Sequence, residues 1–385
     1  MSGLVRICHV QVLPMLGGAQ RSMLDIFQQV DRTRYELHVI CKQPGPLTQE
    51  LSWARIPVHY APSLNSDLHA WGSFRAYREL RRIFSENSFQ IVHTHGVGPG
   101  LVGRFAARRA GVPIIVHHVY ASPRDDRDSL AKRWLRAGLE RLAAYNCDCM
   151  VMVNREEHAE VVARRVMPPE HCLTIYSGVD LEAIDPKKRP HFREHFRARL
   201  GSSQDEFVVL YLGRLVHAKQ PLLLADIAAR LDALRPRKPW RLWVAGTGPA
   251  EQSLAEAVKA RQVEHRVRLL GWQDDPLGVL HAADVVLLPS LAEGLPRALI
   301  EAQAAGLPAV ASAIRGNREV ITEGTGFLCA TREAGSYAEA LVRLIDSAEL
   351  RQAQGQRARL HAEECFDATV SGRRVVEVYR SLLTS

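Results

Sequence analysis

Nowhere in its 385 residues does the chain hold an apolar run long enough to cross a bilayer. Residues 1–14, MSGLVRICHVQVLP, break at a proline followed by a glycine pair, so they lack the layout of a signal peptide and read as a first strand. Aromatic residues make up only 6% of the chain, and no concentrated basic stripe is interleaved with them, which argues against nucleic acid as a partner. The seven cysteines are odd in number and scattered. Only Cys147 and Cys149 are close, and no Cys-x-x-Cys pair or Cys/His zinc spacing occurs, so free thiols of a reducing cytoplasm are expected. The phosphate-binding pattern GxxxxGK[ST] is also missing, which excludes an ATPase of that type.

What is present is a globular composition, 46% hydrophobic and 24% charged, in a chain long enough for two domains. Short apolar runs alternate with helix-length amphipathic stretches from end to end, the signature of βα units and parallel sheets. The first half offers VRICHV, ELHVIC, QIVHTH, PIIVHH, CMVMVN and LTIYSG as strands; the second offers FVVLYLG, WRLWVAG, RVRLLG, VVLLPS, PAVAS and GFLC. Between them lies a polar, basic, proline-bearing stretch that reads as a linker plus a short helix, placing the boundary near residues 183–205. The expected architecture is α/β: two facing, doubly wound Rossmann-like domains, residues 1–185 and 186–365, with ligands in the cleft at the carboxyl ends of both sheets.

Chemistry-bearing residues collect at those strand ends. Glu293 and Glu301 lie eight residues apart in AEGLPRALIEAQAAGLP, astride a Gly294-Leu295-Pro296 turn that opens an apolar helix. Pro296 is expected at an early helical position, where its missing N–H costs little, and free amides of the helix start suit phosphate or sugar oxygens. In LGRLVHAKQP, Gly213 ends a strand, and Arg214 and Lys219 follow; a guanidinium fork and a compact ammonium could together grip a diphosphate. Gly17 and Gly18 follow the first strand, and a glycine pair there permits close approach of backbone to ligand. Gly246 and Gly248 close another strand but lack the third glycine of the dinucleotide fingerprint, which weakens a classical dehydrogenase.

His93 and His95 share one face of a strand. No carboxylate or cysteine cluster accompanies them, so no metal is expected; one packs, and His95 projects from the strand end into the cleft, with His117 and His118 as rivals for that place. The +8 net charge includes two arginine-rich stretches in the first half: Arg75, Arg78, Arg81 and Arg82, and, within residues 124–141, Arg124, Arg127, Lys132, Arg133, Arg136 and Arg141. Leu130, Trp134, Leu135, Leu139 and Leu142 give the second stretch helical spacing, so it is either a solvated helix or a peripheral contact with an anionic membrane surface.

In this order (GGAQ, HTHG, YSGVD, GRLVHAK and then the Glu-x7-Glu run), the chain resembles retaining glycosyltransferases of family 4, which have the GT-B fold. The resemblance covers essentially the whole length. It implies that a nucleotide sugar, a UDP-sugar, binds the second domain and a saccharide or lipid-linked acceptor the first, with no metal required. Arg214 and Lys219 would neutralise the donor diphosphate and Glu301 would hold the ribose hydroxyls. Glu293 and His95 would face the transferred sugar, the backbone from Gly294 to Arg297 would contact sugar or phosphate oxygens, and Gly17 and Gly18 would approach the phosphates across the cleft. It also implies that a final helix, residues 366–385, crosses back to the first domain. Two departures stand out: AIRGNREVI keeps Gly316 and Glu319 but has Arg315 where members often show a first glycine, and Gly294-Leu295-Pro296 replaces Phe-Gly, as in the branch that builds bacterial surface polysaccharides.

The resemblance leaves two competitors: a nucleotide-sugar epimerase of the same fold, and a binding protein without turnover.

Overall fold

The computed structural model describes residues 3–65, 70–120 and 130–384, with side chains omitted for 70–72 and 130–136. The chain forms two compact units, residues 1–178 with 368–385, and residues 179–367. The first holds strands β1 (Val5–Val10), β2 (Tyr35–Cys41), β3 (Val58–Tyr60), β4 (Ile91–His95), β5 (Ile114–Val119), β6 (Cys149–Met152) and β7 (Cys172–Thr174). All pair in parallel, in the order β3-β2-β1-β4-β5-β6-β7. Helices α1 (Gly18–Gln28), α2 (Pro46–Trp53), α3 (Ala70–Asn87), α4 (Val97–Arg109), α5 (Leu130–Ala144) and α6 (Arg155–Ala163) connect them.

The second unit repeats the plan with β8 (Phe207–Leu212), β9 (Trp240–Ala245), β10 (Val267–Gly271), β11 (Val285–Leu288), β12 (Ala309–Ser312) and β13 (Gly326–Cys329), in the order β10-β9-β8-β11-β12-β13. Its helices are α7 (Arg189–Arg199), α8 (Leu223–Ala233), α9 (Glu251–Ala260), α10 (Pro276–Ala282), α11 (Arg297–Ala304), α12 (Arg315–Val320), α13 (Ala334–Asp346) and α14 (Ala348–Cys365). The central strands are apolar on both faces because helices cover both, which is why they read as continuous hydrophobic runs. In β11, Val285 to Leu288 are all fully buried.

Three features differ from the strand-by-strand expectation. Strand β3 carries only three residues at the sheet edge, half exposed, too short to stand out. Of LTIYSG, only the start lies in β7. The stretch expected as a linker is folded into the second unit: after a 3-10 turn at Pro186–Lys188, α7 sends Arg189, Arg193 and Arg197 onto the Asp284 carboxylate ahead of β11. Arg197 is fully buried and also donates to the Ala282 carbonyl at 3.0 Å, so its charge is paired and hydrogen-bonded as burial demands.

The last helix, α15 (Ala368–Thr384), belongs to the first unit. Val375, Val376, Val378 and Tyr379 join Ile7, Met23 and Leu37 in one core cluster. Gly372 lets α15 lie against α1, since a Cβ there would stand 2.7 Å from Gln29 Cγ and 3.0 Å from the Asp25 carbonyl.

Candidate functional site

In each sheet the strand order reverses once, between β1 and β4 in the first unit and between β8 and β11 in the second. At such a switch point the following loops run to opposite sides and open a crevice at the carboxyl ends of the strands. The residues singled out in the sequence fall at these two places: Gly17 and Gly18 after β1, His95 at the end of β4, Gly213 to Lys219 after β8, and Glu293 to Glu301 after β11.

In the second unit the parallel pairing of β8 with β11 brings the two loops together. Leu291 N–H donates to the Ala218 carbonyl at 2.8 Å, and the Lys219 ammonium pairs with Glu293 Oε1. Ser290 Oγ donates to the same oxygen at 2.6 Å, so Glu293, with only 9% of its side chain exposed, is held from two sides. Ser290 is in turn fixed through its carbonyl by Ser312 Oγ, and Asn317 Nδ2 donates to Ser312 Oγ at 3.0 Å. Arg214 is exposed, and its guanidinium makes no salt bridge among the described residues. Its carbonyl accepts from Tyr211 Oη at 2.9 Å; burial, then the Glu293 charge, pushes that phenol's pKa up.

Pro296 is the N-cap of α11, with φ −76° and ψ 104°, one position ahead of the expected helical place. Its carbonyl accepts from Leu299 and Ile300 at 3.0 and 3.3 Å, so those two amides face inward and the anion-facing part of this helix start lies before them. Within α11, Arg297 Nε donates to Glu301 Oε1 at 2.9 Å. Gly294 is buried, and its carbonyl lies against Gly316, where a Cβ would stand at 2.2 Å. Leu295 is partly exposed on the same turn.

Gly246 and Gly248 have a structural reason of their own. A Cβ on Gly246, whose φ is +136°, would stand 2.0 Å from the Gly213 carbonyl oxygen, and one on Gly248 2.4 Å from that of Leu215. Leu215 N–H donates to the Thr247 carbonyl at 2.9 Å. These glycines let the loop after β9 press onto the loop bearing Arg214, and so position that loop from behind.

In the first unit Gly17 caps α1 and Gly18 begins it, both exposed. Gln20 reaches back to accept from Gly17 N–H at 3.2 Å, and its amide donates to Gln11 Oε1 at 3.3 Å. His95 does not project from its strand end. It is 2% exposed, with Nε2 2.8 Å from His9 Nδ1 and Nδ1 3.1 Å from Tyr120 Oη, because the strand ends of β1, β4 and β5 carry a layer of stacked rings. His93 is the packed member as expected, bonded to Tyr379 Oη. His117 binds Thr94 at 2.9 Å, whereas both ring nitrogens of His118 lack a partner among the described residues. Burial pushes the pKa values of His9 and His118 down to about 3 and those of His93, His95 and His117 well below the ordinary 6.5. His9, His93 and His95 each offer a nitrogen within 4.8 Å of the others, a spacing that could hold a transition metal.

Of the second arginine-rich stretch, Arg124 and Arg127 and the side chains of Lys132, Arg133 and Arg136 lie outside the described residues, as do those of Leu130, Trp134 and Leu135. Leu139 is partly exposed, Leu142 is 56% exposed, and Arg141 donates to the Arg164 carbonyl at 2.6 Å. No described helix is long and apolar enough to cross a membrane.

Comparison with known proteins decides the family. The model described as Glycosyltransferase Family 4 matches residues 16–183, and that described as Glycosyl transferases group 1 matches residues 192–361. An Escherichia coli protein named UDP-Gal:alpha-D-GlcNAc-diphosphoundecaprenol alpha-1,3-galactosyltransferase is 30% identical over 97% of this chain and 94% of its own. The chain belongs to the family 4 glycosyltransferases. The fold of this glycosyltransferase is GT-B: Anabaena HepE, solved in complex with UDP, superimposes with a TM-score of 0.80 at 21% identity, over 98% of this chain and 100% of that one. WaaG, a glycosyltransferase involved in lipopolysaccharide biosynthesis, matches with a TM-score of 0.75 at 18% identity, over 97% and 99%.

Proposed function

We propose that this glycosyltransferase moves a hexose or acetamidohexose from a UDP-sugar to a saccharide or lipid-linked saccharide of the bacterial cell surface, with retention and without a metal. The observation that carries the reading is the set of charged groups beyond the β8/β11 switch point: Arg214 and Lys219 after β8, Glu293 on the loop after β11 and Glu301 in the helix α11 that follows it. Cleavage of the bond from the anomeric carbon to phosphate builds negative charge on the leaving diphosphate, and fixed cations there lower the barrier. Arg214 is available for this at once; Lys219 must leave Glu293, and the diphosphate oxygens are the stronger partners because they carry more charge. Glu301 holds the ribose hydroxyls, and Glu293, freed from Lys219, orients the transferred sugar. His118 is as buried as His95, each 2% exposed, so neither ring is given the sugar-facing role. The donor class and the lipid-linked acceptor follow the named activity of the E. coli relative.

Peripheral contact with an anionic membrane at the cytoplasmic face is part of the same proposal. On α3, Phe74, Arg75, Arg78, Arg81, Arg82 and Ser85 are all exposed, and at 3.6 residues per turn they fall within an arc of about 120°. Phe74 is 57% exposed. Co-sedimentation with vesicles should be strong with phosphatidylglycerol and weak with phosphatidylcholine, and Arg75→Glu/Arg78→Glu should abolish it; equal binding to both lipids contradicts this part.

The test of the whole reading is product analysis. Incubated with UDP-sugar and a lipid-linked saccharide, the enzyme should form a glycoside whose anomeric configuration matches the donor, in the presence of EDTA. An epimerised nucleotide sugar as the product would establish the rival activity instead.

A further inference from the structure

Four hydrogen bonds link the C-terminal helix to the start of α1 and a fifth extends the chain back to His93, all within the first unit. His93 Nδ1 lies 2.6 Å from Tyr379 Oη, which lies 3.4 Å from His9 Nε2. His9 Nδ1 lies 2.8 Å from His95 Nε2, His95 Nδ1 lies 3.1 Å from Tyr120 Oη, and Tyr120 Oη lies 3.3 Å from the Ala19 carbonyl. A neutral imidazole has one donor and one acceptor nitrogen and a phenol has one proton to give, so the chain can run in only two directions.

Both ends select the same one. The Ala19 carbonyl can only accept, so Tyr120 spends its one proton there and accepts from His95 Nδ1–H and from the neighbouring Ser22 hydroxyl, one for each lone pair. His95 Nε2 then accepts from His9 Nδ1–H, His9 Nε2 accepts from Tyr379, and Tyr379 accepts from His93 Nδ1–H. At the far end His93 Nε2 is buried without a partner among the described residues. In this direction it is an unused lone pair; in the other it is a buried N–H with no acceptor, the rarer defect.

We propose that Tyr379 is a positioning residue: through a one-way chain of Nδ1–H tautomers at His93, His9 and His95 it holds Tyr120 on the first turn of α1, behind Gly17 and Gly18. The chain also bears on the metal spacing at the three histidines. His9 Nδ1 and His95 Nε2 already satisfy each other, and the rings of His93 and His95 are stacked, with centroids 4.3 Å apart and planes tilted by 26°, so their lone pairs do not converge. Among the described residues no carboxylate or thiolate belongs to the cluster to offset a dication in a fully buried place.

The test is a long-range 1H–15N spectrum of the full chain with 15N-labelled histidine, assigned by single His→Gln substitutions. Neutral Nδ1–H tautomers are expected at all three positions, unchanged by one equivalent of Zn2+. An Nε2–H tautomer at any of them, an imidazolium, or a zinc-induced shift overturns the proposal. In Tyr379→Phe the His95 signal, from a ring that does not touch Tyr379, should move along with those of His9 and His93, and kcat should fall up to roughly tenfold, the value of one neutral hydrogen bond, at unchanged KM for UDP-sugar. A motionless His95 signal in a folded variant contradicts it; if the variant does not fold, the wild-type tautomers still decide. The rate rests on the glycosyl transfer proposed above, while the tautomers do not, so the two can fail separately.

Discussion

Lys219 and Glu293, 74 residues apart, form an ion pair across the switch point of the second sheet, with 22% and 9% of their side chains exposed. The pair joins the cation proposed for the diphosphate to the carboxylate proposed for the sugar, and donor binding must part them. Lys219→Ala should lower kcat/KM by roughly 100- to 1,000-fold, the loss typical of a group that stabilises transition-state charge. Once donor binding has parted them the two groups act on different parts of the donor, so the double variant with Glu293→Gln should be clearly worse than Lys219→Ala. A double variant no worse than Lys219→Ala would mean that the two residues work only as a pair.

Glu301 is given binding work without chemistry. Glu301→Ala should therefore raise KM for the nucleotide sugar about tenfold or more and leave kcat within about twofold, the pattern of an interaction equally strong in ground and transition states. The same KM with a collapsed kcat would move Glu301 into the reaction itself.

Packing alone gives the glycines after β9 a reason. Gly248→Ala has no space, because its Cβ would meet the Leu215 carbonyl at 2.4 Å, and should cost at least about 2 kcal/mol of stability. Gly335→Ala on α13 meets nothing within 4 Å and should be neutral or slightly stabilising. Thermal unfolding of the two variants measures the contrast, and equal melting temperatures would refute the packing account.

Acid should unfold the first unit early. His9, His93, His95, His117 and His118 stay neutral in the fold well below the 6.5 at which they take up protons when unfolded, with His9 and His118 titrating only near 3. The unfolded chain therefore binds more protons over that window, and stability present above pH 6.5 is lost as the pH falls towards 3. Each such histidine contributes a slope of up to about 1.4 kcal/mol per pH unit. Urea unfolding at pH 7.5 and 5.5 should show a large drop in midpoint; a constant midpoint would place these rings in water.

Much of this was legible in the residues. The two-sheet plan follows from apolar runs buried on both faces, and three of the loops at the switch points follow from Gly17, from Gly213 and Arg214, and from Glu293 standing after strands. What was not legible depends on pairing between distant segments. Tyr379 meets His93 from 286 residues away and His9 from 370, and nothing near Tyr379 in the chain marks it. His95 looked like a cleft residue because it ends its strand; its burial depends on His9 and Tyr120 arriving from neighbouring strands. The arginines of α7 resembled a solvated linker until Asp284 was placed beside them. Ser290, the second support of Glu293, sat unremarked in VVLLPS.

The central claim, that the charged groups at the β8/β11 switch point serve transfer from a nucleotide sugar, is tested most directly by UDP release. A panel of UDP-sugars is assayed with and without a GlcNAc-diphospholipid acceptor, using the wild-type chain and Lys219→Ala. The account predicts UDP from at least one sugar only when acceptor is present, and its near-complete loss in the variant. UDP release that ignores the acceptor, or that survives intact in Lys219→Ala, would contradict it.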